Sequence, residues 1–145
     1  MAGQRPTLTE QREQQNHTEN YSWMGTELVG KRYFPLFIAE VSTAVEYAAI
    51  RYTVANSATL TANLAYAANG TIVSTNTDIT NTVNMNSTLH TNNVFTFKTA
   101  NGVTGEVPNN NIVPAGATVL LELSDVANAA LDGVVLTVRT TDKIH

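Results

Sequence analysis

The 145-residue chain contains no cysteine, which excludes a disulfide framework and a thiolate metal site and leaves the redox character of its compartment unread. Charge is scarce: Asp, Glu, Lys and Arg make up 14% of the residues, against about 25% in ordinary globular domains. Eight Lys and Arg against twelve Asp and Glu give a net charge of -4. No basic stripe is therefore available to neutralise phosphates, and nucleic acid is not an expected partner. No apolar run approaches the roughly 20 residues of a membrane span, so no membrane partner is expected. The first residues lack the basic start and apolar stretch of a signal peptide. These absences lead to the expectation of a protein made and kept in the cytosol or released by lysis, stabilised by packing or by oligomerisation.

Uncharged polar residues stand in for the missing charge, with 22 threonines and 16 asparagines. Their distribution divides the chain into an extended N-terminal arm, residues 1–30, and a β-rich domain, residues 31–145. From residue 33 the apolar pattern repeats every two residues, the period of a strand with one face buried. In TLTANLAYA, Leu60, Ala62, Leu64 and Tyr66 point one way while Thr59, Thr61 and Asn63 point the other. IRYTV turns Ile50, Tyr52 and Val54 inward, VFTFK turns Phe95 and Phe97, TVLLEL turns Val119, Leu121 and Leu123, and VVLTVRT turns Val134, Leu136 and Val138. YFPLFIAEV is apolar on both sides, and Pro35, lacking an N–H, belongs at an edge or at a strand start. Turn signals separate these runs at Asn56-Ser57, Asn69-Gly70, Asn101-Gly102, Pro114-Ala115-Gly116 and Asp132-Gly133.

Short strands at this spacing predict an all-β fold, an antiparallel β-sandwich of jelly-roll-like form. Residues 74–93 and 100–116 read as long polar connections that cross between sheets or cover an open end. Ser124 is a candidate cap for one helical turn over residues 125–130.

The residues offer little for catalysis, and no cofactor or enzymatic activity is expected. His17, His90 and His145 have no partner at the i, i+2 or i, i+4 spacing that sets two imidazoles on one face, so no metal site is expected. Asp125 and Asp132 read as acidic turn residues, and they lack the alternating oxygen ligands and closing Glu of a calcium loop. NGVTG at 101–105 has no following Lys and reads as a turn. None of the six serines stands in a nucleophile elbow.

The arm carries the candidate partner contacts. Ordering it costs about 1–1.5 kcal/mol per residue in backbone entropy, more than its few apolar side chains return by burial. Another surface must hold it. Tyr21, Trp23 and Met24 are the anchors, because aromatic side chains bring large area into a pocket with little rotamer loss. Arg5 and Arg12 add bidentate contacts to carboxylates. Two readings stay open: an arm that reaches a neighbour, and an arm folded back as an added strand with Trp23 closing the bottom of the sandwich.

Two phrases of the domain carry a resemblance. NIVPAGATVLLEL, residues 111–123, and LDGVVLTVRTT, residues 131–141, resemble the late strands of small β-sandwich proteins of tailed-bacteriophage virions, especially capsid decoration or cement proteins. The likeness covers about three quarters of the chain, from 33 to 140, and transfers no functional residues. It implies a jelly-roll-like subunit, often a homotrimer, that clamps neighbouring copies of the major capsid protein in the virion after synthesis in the host cytoplasm. Two other classes remain open on the residues: a receptor- or glycan-binding module of a fibre or tail, and a neck or head-completion protein.

Overall fold

The computed structural model describes residues 16–23, 32–53, 60–85, 93–101, 107–124 and 132–143. Ten strands are formed: β1 (Asn16–Trp23), β2 (Tyr33–Ile38), β3 (Thr43–Arg51), β4 (Thr61–Ala67), β5 (Thr77–Asp78), β6 (Val83–Asn84), β7 (Asn93–Val94), β8 (Ile112–Val113), β9 (Thr118–Ser124) and β10 (Val134–Asp142). The fold is all-β, with two five-stranded sheets in which every pairing is antiparallel. The first sheet runs β1-β10-β3-β7, with β8 also on β3, and the second runs β2-β9-β4-β5, with β6 also on β4. The pairs are nested along the chain: β1 meets β10, β2 meets β9, β3 meets β8 and β7, and β4 meets β6 and β5. Successive outer pairs alternate between the two sheets.

One cluster of buried side chains draws on both sheets. Val45, Ala48 and Ile50 of β3 and Val134, Leu136 and Val138 of β10 join Ala62 and Leu64 of β4 and Val119, Leu121 and Leu123 of β9. The alternation read from the sequence is what places them there. Leu60, Ile50, Tyr52 and Phe95 are also buried, and Tyr66 and Phe97 pack partly buried against the cluster. Val54 lies outside the described residues. Pro35 stands on β2, the edge strand of the second sheet, and the ladder to β9 shifts register between Pro35 and Phe37. An edge tolerates the missing donor.

The structure extends β3 back to Thr43, seven residues before the run IRYTV. The cause is a bulge. Val45 pairs with Thr140 and Tyr47 with Arg139, so Glu46 is the extra residue, and Val45 and Ala48 both face inward although three apart. One inserted residue breaks the period of two that the eye follows.

Two expectations are corrected. β4 is not half-buried: Asn63, Ala65 and Ala67, on the face opposite Leu64, are buried too. Ala65, Ala67 and Leu120 form a second small cluster covered by Tyr33 and Val73, so the connection after β4 folds over the outside of its own sheet. Asn63 is satisfied there, its Nδ2 donating to Asp78 Oδ1 at 3.0 Å. The segments read as polar connections also contribute strands and core. β5 and β6 fall within residues 74–93 and β8 within 100–116, while Ile79, Thr80 and Met85 are fully buried. Thr80 Oγ1 accepts from the Leu64 N–H at 3.0 Å, and Val45 N–H donates to the Asn111 carbonyl at 2.8 Å while Asn111 Nδ2 donates to the Val45 carbonyl at 3.3 Å. Thr and Asn thus supply the ladder contacts that two-residue strands cannot. The proposed cap at Ser124 leads into residues outside those described.

Gly70 and Gly133 both hold positive φ, at 84° and 58°. A Cβ on Gly70 would meet nothing, whereas one on Gly133 would lie 2.5 Å from Thr53 Oγ1, the hydroxyl that donates to the Asp132 carbonyl at 3.0 Å. Gly70→Ala is expected to cost about 1 kcal/mol, the left-handed penalty alone. Gly133→Ala should cost clearly more, because a neighbour must also move. Urea denaturation of both variants checks this, and equal losses would contradict the packing at Thr53.

Candidate partner-binding site

β1 divides into two unlike halves. Its sequence, NHTENYSW, is polar at first and aromatic at the end, and the alternation sets His17, Tyr21 and Trp23 on one face, where they are partly buried. The other face meets β10 in a ladder of polar contacts. Thr137 Oγ1 donates to Asn20 Oδ1 at 2.6 Å, and Thr141 Oγ1 donates to Asn16 Oδ1. Cross-strand pairs of this kind pin an edge strand that has one neighbour.

At its aromatic end β1 packs against β2. Tyr21 and Trp23 stack with centroids 6.5 Å apart, the spacing of residues i and i+2 on one strand face. Trp23 meets Phe34 of β2 edge-on at 5.8 Å and 65°. Burial, reinforced by the negative charge of Glu19, pushes the Tyr21 phenol above its ordinary value. The polar end of β1 lines a cleft of about 630 Å³. Phe37, Ala39 and Val138 are among its apolar lining, with His17, Glu19, Glu40, Thr140 and Asp142 as polar lining. His17 Nε2 lies 3.4 Å from Asp142 Oδ2.

Of the sequence-derived candidates, Tyr21 and Trp23 are therefore packed against the chain's own core. Arg5, Arg12 and Met24 lie outside the described residues. The cleft carboxylates Glu19, Glu40 and Asp142 were not singled out by sequence, and no spacing could have joined residues 19, 40 and 142. Among the described residues no three His, Cys, Asp or Glu side chains stand where they could hold a metal ion. Two tyrosine faces are occupied by the chain's own guanidinium groups, Arg32 over Tyr33 at 5.5 Å and Arg139 over Tyr47 at 5.6 Å. Comparisons with protein-family models, with curated proteins and with solved structures find no match to this chain.

Trp23→Ala is expected to destabilise the domain by about 2–3 kcal/mol, below the fully buried range because Trp23 keeps some exposure. A loss under about 0.5 kcal/mol in urea denaturation would mean that the wedge does not hold the sheet edges together. The raised Tyr21 phenol carries a pH signature as well. Its contribution to stability is complete below the unfolded value of about 10 and is lost as pH rises through the folded value. Tyr21→Phe should therefore lose less stability than the parent between about pH 9 and 11, and identical losses would contradict the burial of the hydroxyl.

Proposed function

We propose that the chain is a non-enzymatic structural protein of a tailed-phage virion, a jelly-roll-like β-sandwich that decorates the capsid as a homotrimer and clamps neighbouring copies of the major capsid protein. The nested strand pairing supports this architecture, since a long antiparallel ribbon rolled over itself sends successive pairs to alternate facing sheets. The shared core between the sheets supports it further.

The observation that carries the role is the attachment of the arm. Residues 1–15 lead directly into β1, and β1 is held along its length by β10 and at its far end by the Tyr21–Trp23–Phe34 wedge. A tether rooted in this way passes any load into the core. Fifteen residues reach at most about 50 Å when extended, enough to cross onto a neighbouring subunit. Binding that favours the assembled shell then stabilises it by linkage, and repeated weak contacts add through multivalency. A glycan-binding role asks for exposed aromatic platforms. Among the described residues the exposed large hydrophobic side chains are aliphatic, such as Ile38, Val94, Ile112 and Val135.

Co-sedimentation of the full-length protein with purified phage heads that lack it tests the reading. Saturable binding to assembled heads, with a higher temperature of head disruption, is the expected result. Binding to bacterial cells or surface polysaccharide without binding to heads would replace the decoration role with a fibre role. A ring at the portal vertex alone would make it a head-completion protein.

A further inference from the structure

The polar end of β1 lines a cleft in which two carboxylates, Glu19 and Glu40, have no ion-pair partner among the described residues. We infer that this cleft receives residues 1–15 of a second copy of the chain, with Arg5 of that copy set between Glu19 and Glu40. The inference deepens the proposed role by naming a sister copy as the neighbour that residues 1–15 reach, and it can fail without the capsid role failing.

The first support is charge. Asp142 already has His17 at 3.4 Å, but among the described residues Glu19 and Glu40 have no cationic partner. Both are exposed and line a cleft that also presents Phe37, Ala39 and Val138, so a cation brought there meets two carboxylates of like charge. The cleft therefore suits a segment that carries one cation and some apolar surface. Arg32 and Arg139 lie against rings of the body. In the arm, Arg12 has Glu10 and Glu13 as close neighbours, whereas Arg5 has no acid nearer than Glu10 and has Pro6 and Leu8 beside it.

The second support is direction and length. His17 lines the cleft, so the chain upstream of Asn16 arrives at the cleft's own end of β1. To enter the cleft of its own body it would have to reverse at once. Residues 7–15, TLTEQREQQ, contain no Gly, Pro, Asn or Asp, the residues that make tight reversals inexpensive. Running on, the eleven residues from Arg5 to Asn16 span at most about 36–40 Å. That matches the diameter of a domain of about 115 residues, roughly 35 Å from its radius of gyration. The arm is the right length to enter the equivalent cleft of an adjacent copy.

The lack of native cysteine makes a direct test clean. Full-length Arg5→Cys and Glu40→Cys proteins, mixed under a glutathione redox buffer, are expected to form a mixed disulfide dimer in preference to either homodimer. The exposed Glu40 tolerates substitution, and an Arg5→Cys plus Glu46→Cys mixture, with the exposed Glu46 not among the residues that line the cleft, serves as the control and should cross-link far less. In sedimentation equilibrium, Arg5→Glu and Glu40→Lys should each weaken self-association at least tenfold, and an equimolar mixture should recover part of it through the one restored contact. A parent chain that stays monomeric at all concentrations overturns the inference. So does a disulfide formed only within one chain of a doubly substituted protein, or association indifferent to both charge reversals. Binding to heads is measured separately, so loss of this contact and loss of the capsid role are distinguishable.

Discussion

The long strands of the molecule depend on antiparallel pairing to β9 or β10. β10 lies between β1 and β3, and β9 lies between β2 and β4. Both come from the C-terminal part of the chain, so neither sheet has its central partner until residues 118–142 are in place. Their inward side chains, Val119, Leu121 and Leu123 on one and Val134, Leu136 and Val138 on the other, face the residues of β3 and β4 in one buried cluster. Contacts between distant parts of the chain delay folding, because loop closure must precede the gain from pairing. The short strands β5 to β8 then complete the far edges by adding two residues at a time to β3 and β4.

That central arrangement leaves β1 and β2 as the opposite edges, one in each sheet, and the properties of the candidate site follow from them. Where β1 is aromatic, Trp23 packs edge-on against Phe34 of β2. Where it is polar it lines a cleft that also presents the carboxylates of Glu40 and Asp142. An exposed strand edge risks uncontrolled pairing with other chains. Here the first half of the edge strand is polar, and on its inner side it is paired along its length with β10.

The scarcity of charge has a structural counterpart. With few ion pairs available, Thr and Asn side chains carry the local hydrogen bonding: Thr80 to the β4 backbone, Asn111 to Val45, Asn63 to Asp78, and Thr137 and Thr141 to the asparagines of β1. Neutral groups desolvate at lower cost than charged ones. They can therefore sit at strand ends and beneath loops, where two-residue ladders would otherwise leave backbone groups unpaired.

The sequence by itself determined the fold class and the inward face of β4, β9 and β10, because these follow from period-two alternation, and it confined the strand that carries Pro35 to an edge or Pro35 to a strand start, because of its missing N–H. It also marked Tyr21 and Trp23 as anchors, since large aromatic side chains in a polar segment must be buried against something. Tertiary structure alone decided what they are buried against, the chain's own Phe34 and core. It alone also decided that Glu46 bulges and masks the start of β3, that Val73 and Tyr33 cover the outer face of β4, and that Glu19, Glu40 and Asp142 share one cleft. The reason is common to all of these. Local periodicity records which way a side chain points along its own strand, whereas register, bulges and cleft partners are set by pairings between segments as far apart as residues 17 and 142, for which the chain carries no local signal.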